Sequence, residues 1–191
     1  MSREFLDKIE ASPIIAAVKD DAGLDRCLTS DIDIVFVLYG DLCTIPDIVK
    51  KIKKAGRCAL VHMDLVGGLA SKDVSLDYIR KFTEADGIIT TKSNLIPHAK
   101  SLGLYTVLRY FVLDSMALES VEKNSRHGVV QPDVIEILPG ILPPKMIREF
   151  NRISRVPIIC GGLIRDKEDV MNALSGGAAA ISTTNQDVWF L

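Results

Sequence analysis

Two segments near the C-terminus have the residue types that bind a phosphate group. Gly161 and Gly162 follow one short apolar run, and Ser182 and Thr183 end the next. Paired glycines let backbone N–H groups approach phosphate oxygens without a Cβ in the way, and a hydroxyl-rich turn that leads into a helical segment adds donors. Taken singly, a tight turn explains the glycines and a helix cap explains the hydroxyls better than function does. Because they follow two consecutive runs, we expect them to form the two halves of one phosphate site.

Polar side chains also end most of the other apolar runs, where a strand buried on both faces would not need them. The candidates for contacting the rest of a ligand are Lys19, His62, Asp64, Lys92, Arg109 and Glu136. A buried Glu136 requires a partner, so it either pairs with Lys19 or Arg109 or binds a ligand hydroxyl. His62 titrates in the range of a general acid or base, and it is equally consistent with a packed core histidine.

The elements that must position these groups are eight short, β-branched apolar runs separated by segments of helical periodicity. The predicted strands are 13–18, 32–38, 58–63, 87–90, 105–110, 134–138, 156–160 and 179–182. The predicted helices are 45–55, 74–83, 96–101, 117–124, 144–153 and 167–175. Asp166 is the expected N-cap of the last helix, and Gly176 its C-terminal stop.

This alternation predicts a compact α/β fold, a (β/α)8 TIM-type barrel with a short or missing final helix, in which residues 1–191 form a single domain. The alternative is an open doubly wound sheet. That fold is disfavoured because the glycine-rich turn expected after its first strand is absent here, where Lys19-Asp20-Asp21 follows instead. In the barrel, phosphate commonly binds after strands seven and eight, which is where the two segments fall.

Composition limits the function classes. A net charge of −2 with a pI near 5.9 gives no global attraction for nucleic acid, so any RNA contact must come from a local patch. The four cysteines and three histidines never fall at metal-ligand spacing, so we expect no metal site. No apolar run is long enough for a membrane helix, and the acidic N-terminus does not resemble a signal peptide. A cytoplasmic location is therefore expected.

Several segments spread over the chain together resemble the glycerol uptake operon antiterminator family. They are His62-Met63-Asp64-Leu65, Gly87-Ile88-Ile89-Thr90-Thr91-Lys92, Arg109-Tyr110-Phe111-Val112-Leu113-Asp114-Ser115, Glu136-Ile137-Leu138-Pro139-Gly140, Gly161-Gly162-Leu163-Ile164 and Ser182-Thr183-Thr184-Asn185. Two departures are Gly67-Gly68, where members often have a bulkier polar residue before the glycine, and Tyr110, where an aliphatic residue is common.

This resemblance implies a barrel that senses glycerol 3-phosphate and binds an mRNA leader, so that genes for glycerol uptake and use escape premature termination. It implies regulation without turnover and no cofactor. Carried over by position, Gly161, Gly162, Ser182 and Thr183 would hold the phosphate. The candidates for the glycerol end would be His62, Asp64, Arg109 and Glu136.

Two basic groups are candidates for contacting RNA. The first is a stripe on one predicted helix with a neighbour just beyond it, formed by Lys145, Arg148, Arg152 and Arg155. The second comprises Lys50, Lys51, Lys53, Lys54 and Arg57. A solvated helix face is the ordinary explanation of either group, and no aromatic stacking platform accompanies them.

The residues alone leave two other functions open. One is a small-barrel isomerase or lyase acting on a phosphorylated metabolite, with Lys92 or Glu136 as the base. The other is an inert interaction module, which explains poorly why so many polar residues gather at strand ends. The sequence also leaves homo-oligomerisation open.

Overall fold

A computed structural model describes residues 3–191, and its centre is a closed barrel of eight parallel strands in chain order, with the last strand paired to the first. The strands are β1 (Ile14–Val18), β2 (Ile34–Val37), β3 (Cys58–His62), β4 (Gly87–Thr90), β5 (Tyr105–Phe111), β6 (Val134–Leu138), β7 (Ile158–Gly161) and β8 (Ala180–Thr183). The barrel prediction is confirmed, and the open sheet is excluded. Strand boundaries differ by at most two residues. For instance, β7 begins after Pro157, whose nitrogen has no hydrogen to donate to a ladder.

One helix precedes β1, and the others connect the strands around the outside of the barrel. The helices are α1 (Arg3–Ala11), α2 (Asp21–Cys27), α3 (Ile45–Lys54), α4 (Asp73–Phe82), α5 (Ile96–Ser101), α6 (Met116–Asn124), α7 (Pro144–Ile153) and α8 (Lys167–Ser175). After β8 the described chain forms only a 3₁₀ turn, Val188–Phe190, in agreement with the expected short final helix. No helix within residues 3–191 is long and apolar enough to cross a bilayer.

Local sequence signals account for several of these helices. Asp166 accepts a hydrogen bond from Asp169 N at 3.0 Å and caps α8, which ends at Gly176 as expected. Helix α2 was not predicted, although Asp20 caps it by accepting a hydrogen bond from Gly23 N at 2.7 Å. Helix α1 was not predicted either, although Phe5 and Ile9 lie one turn apart on it.

The barrel interior is filled by apolar side chains that alternate along the strands with outward-facing ones. The interior cluster includes Ile15, Ala17, Phe36, Leu60, Ile89, Val107, Val134, Ile159 and Ala180. Helix α1 closes the N-terminal end of the barrel, because Phe5 and Ile9 belong to the same cluster and the Phe5 ring stacks on Tyr105 with centroids 4.7 Å apart.

The same alternation positions the polar groups at the other end. His62, Arg109, Glu136 and Ser182 each lie two residues after an interior apolar residue, so their side chains also point into the barrel. All four are buried. They therefore form a polar layer above the apolar interior, just below the C-terminal rim.

Candidate ligand site at the C-terminal rim

The two glycine and hydroxyl segments adjoin in space. Gly161 and Ser182 are direct partners in the β7–β8 ladder, and a Cβ added to Gly161 would lie 2.6 Å from Ser182 Oγ. Further along, Asn185 Nδ2 donates to Arg165 O at 2.7 Å. The loops that follow β7 and β8 are thus joined on one rim of the barrel.

Both hydroxyls of the second segment are already engaged within the protein. Ser182 Oγ donates to Glu136 Oε1 at 2.5 Å. Thr183 Oγ1 donates to Ile164 O at 2.9 Å and accepts from Asn185 N at 3.0 Å. These two hydroxyls hold the scaffold of the rim together, so they are not free to donate to a ligand.

Free backbone donors occur in both loops. The N–H groups of Gly162, Leu163 and Thr184 donate to no protein acceptor among residues 3–191. Gly162 and Leu163 have φ values of +78° and +63°, and Leu163 is the one non-glycine residue with positive φ in the described chain. Backbone N–H groups that are left free in a turn attract anions, and we call these three the anion nest. A leucine in this region costs about 1–2 kcal/mol, and such strain is found mostly at functional sites.

A buried charge network lies directly beneath the loops. Arg109 Nε donates to Glu136 Oε2 at 2.6 Å, and Glu136 is completely buried. Of the two partners that the sequence left open for Glu136, the structure therefore selects Arg109 rather than Lys19. The pair is neutral overall, and the guanidinium N–H groups other than Nε have no protein acceptor in the described chain.

His62 faces the same layer with an unsatisfied ring nitrogen. Its side chain is 3% exposed, and Nδ1 has no hydrogen-bond partner among the described residues. Burial, reinforced by the positive charge of Arg109, lowers the pKa of His62 to about 4, against a smaller opposing effect of Asp64. The imidazole is therefore neutral at physiological pH, and one nitrogen remains available to a ligand.

The remaining sequence candidates lie on the rim itself. Asp64 accepts hydrogen bonds from Thr90 Oγ1 at 3.0 Å and from Thr91 N at 2.7 Å, so its carboxylate organises the loop after β4. Lys19 follows β1 and Lys92 lies two residues beyond β4. Both are exposed and form no ion pair with a described residue, so their ammonium groups are free to meet a ligand.

A third loop contacts the first, which sequence reasoning did not anticipate. Gly140, in the β6–α7 loop, donates its N–H to Gly162 O at 2.9 Å, and a Cβ on Gly140 would lie 3.0 Å from Gly161 N. The sequence indicated a turn at Pro139-Gly140 on this face, but it gave no sign of the contact. It also gave no sign that Leu163 is left-handed.

The two basic groups differ in their surroundings. On and near α3, three of the five cations form ion pairs, namely Lys51 with Asp25, Lys53 with Asp86 and Arg57 with Asp33. On and just beyond α7, by contrast, the four basic residues are exposed and form no ion pair with a described carboxylate. Three of them, Lys145, Arg148 and Arg152, line a groove of about 310 Å³ together with Glu149.

Other features of the surface are less closely connected with this chemistry. A groove of about 480 Å³ lies between α2 and α3, lined by Asp21, Leu24, Tyr39 and Ile48 among others, away from the network of Arg109 and Glu136. The described residues contain no group of three or more His, Cys, Asp or Glu side chains arranged to hold a metal ion.

The fold and the rim define this protein as a (β/α)8 barrel with free backbone N–H donors above a buried polar layer. Residues 14–189 match the family model for the glycerol-3-phosphate responsive antiterminator, and the chain belongs to this family. The family resemblance inferred from the sequence is confirmed.

Individual relatives cover nearly the whole chain. The uncharacterized protein YgcP of Escherichia coli (strain K12) is 42% identical over 187 residues, which are 98% of this chain and 96% of that protein. The glycerol uptake operon antiterminator regulatory protein of Listeria monocytogenes superposes with a TM-score of 0.84 at 32% identity, covering 92% of this chain and 94% of the other. A glycerol uptake operon antiterminator-related protein from Thermotoga maritima gives a TM-score of 0.80 at 35% identity, covering 93% and 98%.

Proposed function

We propose that this protein is a glycerol 3-phosphate-responsive, RNA-binding antiterminator that acts in the cytoplasm on genes for glycerol uptake and metabolism. The observation that carries the proposal is the group of free N–H donors on Gly162, Leu163 and Thr184, in two adjoining loops above a neutral polar layer. Membership of the antiterminator family supports the same assignment.

The ligand would bind with its phosphate at the rim and its glycerol end below. Backbone N–H groups of the Gly161-Gly162 loop and the segment after Ser182 and Thr183 would hold the phosphate, and Lys19 and Lys92 would supply attraction for the dianion. The glycerol hydroxyls would meet Arg109, Glu136 and His62, with Asp64 shaping the neighbouring loop. An uncharged polyol suits this layer because the charges of Arg109 and Glu136 cancel.

The RNA would bind on α7. Lys145, Arg148, Arg152 and Arg155 form no ion pair with a described carboxylate, whereas most cations on and near α3 are already paired. Cations without a carboxylate partner can neutralise RNA phosphates and so release the counterions held by the RNA, which makes α7 the better candidate of the two surfaces.

Thermal unfolding with three ligands tests the sensing half of the proposal. A ligand that binds only the native state at 100 times its Kd stabilises it by about 2.7 kcal/mol, which raises Tm by roughly 5–10 °C in a protein of this size. We expect such a shift with glycerol 3-phosphate and much smaller shifts with glycerol or inorganic phosphate at equal concentration. A flat response to all three would contradict the assignment.

Charge reversal tests the RNA half. The double variant Arg148→Glu/Arg152→Glu should weaken binding of a labelled leader transcript from the glycerol uptake operon of the organism that encodes the protein, and it should reduce the slope of log K against log salt. The matched control is Lys50→Glu/Lys54→Glu, which makes the same change in net charge at two exposed, unpaired positions of α3. Equal losses in both variants would exclude a specific role for α7.

A further inference from the structure

A single peptide unit connects the anion nest to the helix that carries the basic stripe. Gly162 O and Leu163 N–H belong to one planar trans peptide, so they point in opposite directions and turn together. The carbonyl accepts the Gly140 N–H at 2.9 Å, whereas the Leu163 N–H has no described protein acceptor. An anion that fixes the N–H therefore also fixes the carbonyl and the strength of its bond to Gly140.

Gly140 is in turn connected stiffly to α7. It is buried between Ile164 and the backbone of Gly161, with no space for a Cβ. Three residues then lead to Pro144 at the start of α7, and the last of them is Pro143, whose carbonyl accepts from Met146 N at 2.8 Å in the first turn. Two successive prolines with fixed φ values limit how far this connection can bend.

We propose that the Gly162–Leu163 peptide and its bond to Gly140 transmit ligand occupancy to α7 and so couple the phosphate site to the RNA surface. This inference rests on the proposed function. Ligand binding would orient the peptide, strengthen the 140–162 bond and hold the first turn of α7 in the orientation that presents Lys145 and Arg148. The two sites are then linked by one short contact rather than by a change of the whole barrel.

The test measures the coupling ratio, which is the Kd for the leader transcript without ligand divided by its Kd with saturating glycerol 3-phosphate. Because the ligand is saturating, a change in ligand affinity does not affect this ratio. Coupling ratios between linked sites commonly lie at about 5–150. Gly140→Ala forces the two loops apart, and Leu138→Ala removes a side chain that packs near Gly162 without adding atoms. Both variants should bring the ratio close to one while RNA binding without ligand changes little.

Gly67→Ala is the matched control, because Gly67 N–H donates to Gly40 O at 2.9 Å and joins two other rim loops in the same way. It should keep the wild-type ratio. Hydrogen exchange should also show that the ligand slows exchange at Gly140 and the first turn of α7 in the wild type and in Gly67→Ala, but not in the two coupling variants.

The outcomes separate this inference from the proposed function. If the wild type binds neither glycerol 3-phosphate nor the transcript, the proposed function itself fails. If the wild type shows coupling and folded Leu138→Ala or Gly140→Ala retains it in full, the proposed route is overturned. Should Gly140→Ala not fold, Leu138→Ala decides the matter alone.

Discussion

Position 161 has no space for a β-carbon, because that atom would overlap Ser182 Oγ and the carboxylate of Glu136. Gly161→Ala should therefore break the Ser182–Glu136 hydrogen bond and leave a fully buried carboxylate poorly satisfied. We expect a loss of about 1–3 kcal/mol in the free energy of unfolding, measured by urea denaturation, together with weaker binding of glycerol 3-phosphate. Gly67→Ala, where the nearest atom to an added Cβ is 3.2 Å away on an exposed loop, should cost less. Equal stability of the two variants would contradict this account.

His62 should make stability depend on pH in a defined range. Its folded pKa of about 4 lies below the ordinary value of 6.5, so the unfolded chain binds the proton more readily. Neutral His62 makes its full contribution to stability above pH 6.5. This contribution decreases as the pH falls towards 4, by up to about 3 kcal/mol.

The measurement is the difference in unfolding free energy between the wild type and His62→Gln from pH 7 to pH 4. Groups common to both proteins cancel in this difference. The wild type should lose stability relative to His62→Gln as the pH falls through this range. Parallel profiles would show that His62 is protonated as easily in the folded protein as in the unfolded one.

At the scale of elements, α1 should act on stability and hardly on ligand binding. Phe5 is fully buried, stacks on Tyr105 and fills the N-terminal end of the barrel, opposite the rim with the anion nest. Phe5→Ala should therefore lower the free energy of unfolding by about 3–5 kcal/mol, as measured with urea. The folded variant should keep the wild-type affinity for glycerol 3-phosphate in calorimetry. A large loss of affinity without a loss of stability would show that α1 has a different role.

The strands were more predictable than the helices, for physical reasons. Each strand of a closed parallel barrel is buried on both faces, so a continuous apolar run such as 14–18 marks it to within a residue. Helix α2 has only seven residues, begins at Asp21 and contains Gly23, so its periodicity is too short to be detected. Helix α1 buries one face through contacts with the barrel end, which are absent from local sequence.

The geometry of the candidate site was predictable in part. The adjacency of Gly161 and Ser182 follows from their rank among the strands, because β7 and β8 must be neighbours in the barrel. Which donors remain free depends on long-range partners. The hydroxyl of Ser182 is used by Glu136, 46 residues away in sequence, and no local pattern encodes that distance. The same holds for the contact between Gly140 and Gly162.

At the scale of the whole molecule, the two ends of the barrel have different roles. The N-terminal end is closed by apolar packing of α1, and the C-terminal end carries free N–H groups, unpaired lysines and a buried polar layer. A (β/α)8 barrel concentrates ligand chemistry at the C-terminal end in this way, whether or not it is an enzyme. The state of the individual groups must therefore decide between sensing and catalysis.

These groups favour binding without turnover over the isomerase or lyase alternative. A lysine base or Schiff-base lysine needs desolvation, but Lys19 and Lys92 are exposed. Glu136 accepts hydrogen bonds from Arg109 and Ser182 through both carboxylate oxygens, so it is poorly placed to take a proton from a ligand. Glycerol 3-phosphate incubated with stoichiometric protein should therefore be recovered unchanged, as followed by phosphorus and proton NMR over a day. Conversion that is lost in both Lys92→Ala and Glu136→Gln would instead identify a small-barrel enzyme, and conversion that persists in both would indicate a contaminating activity.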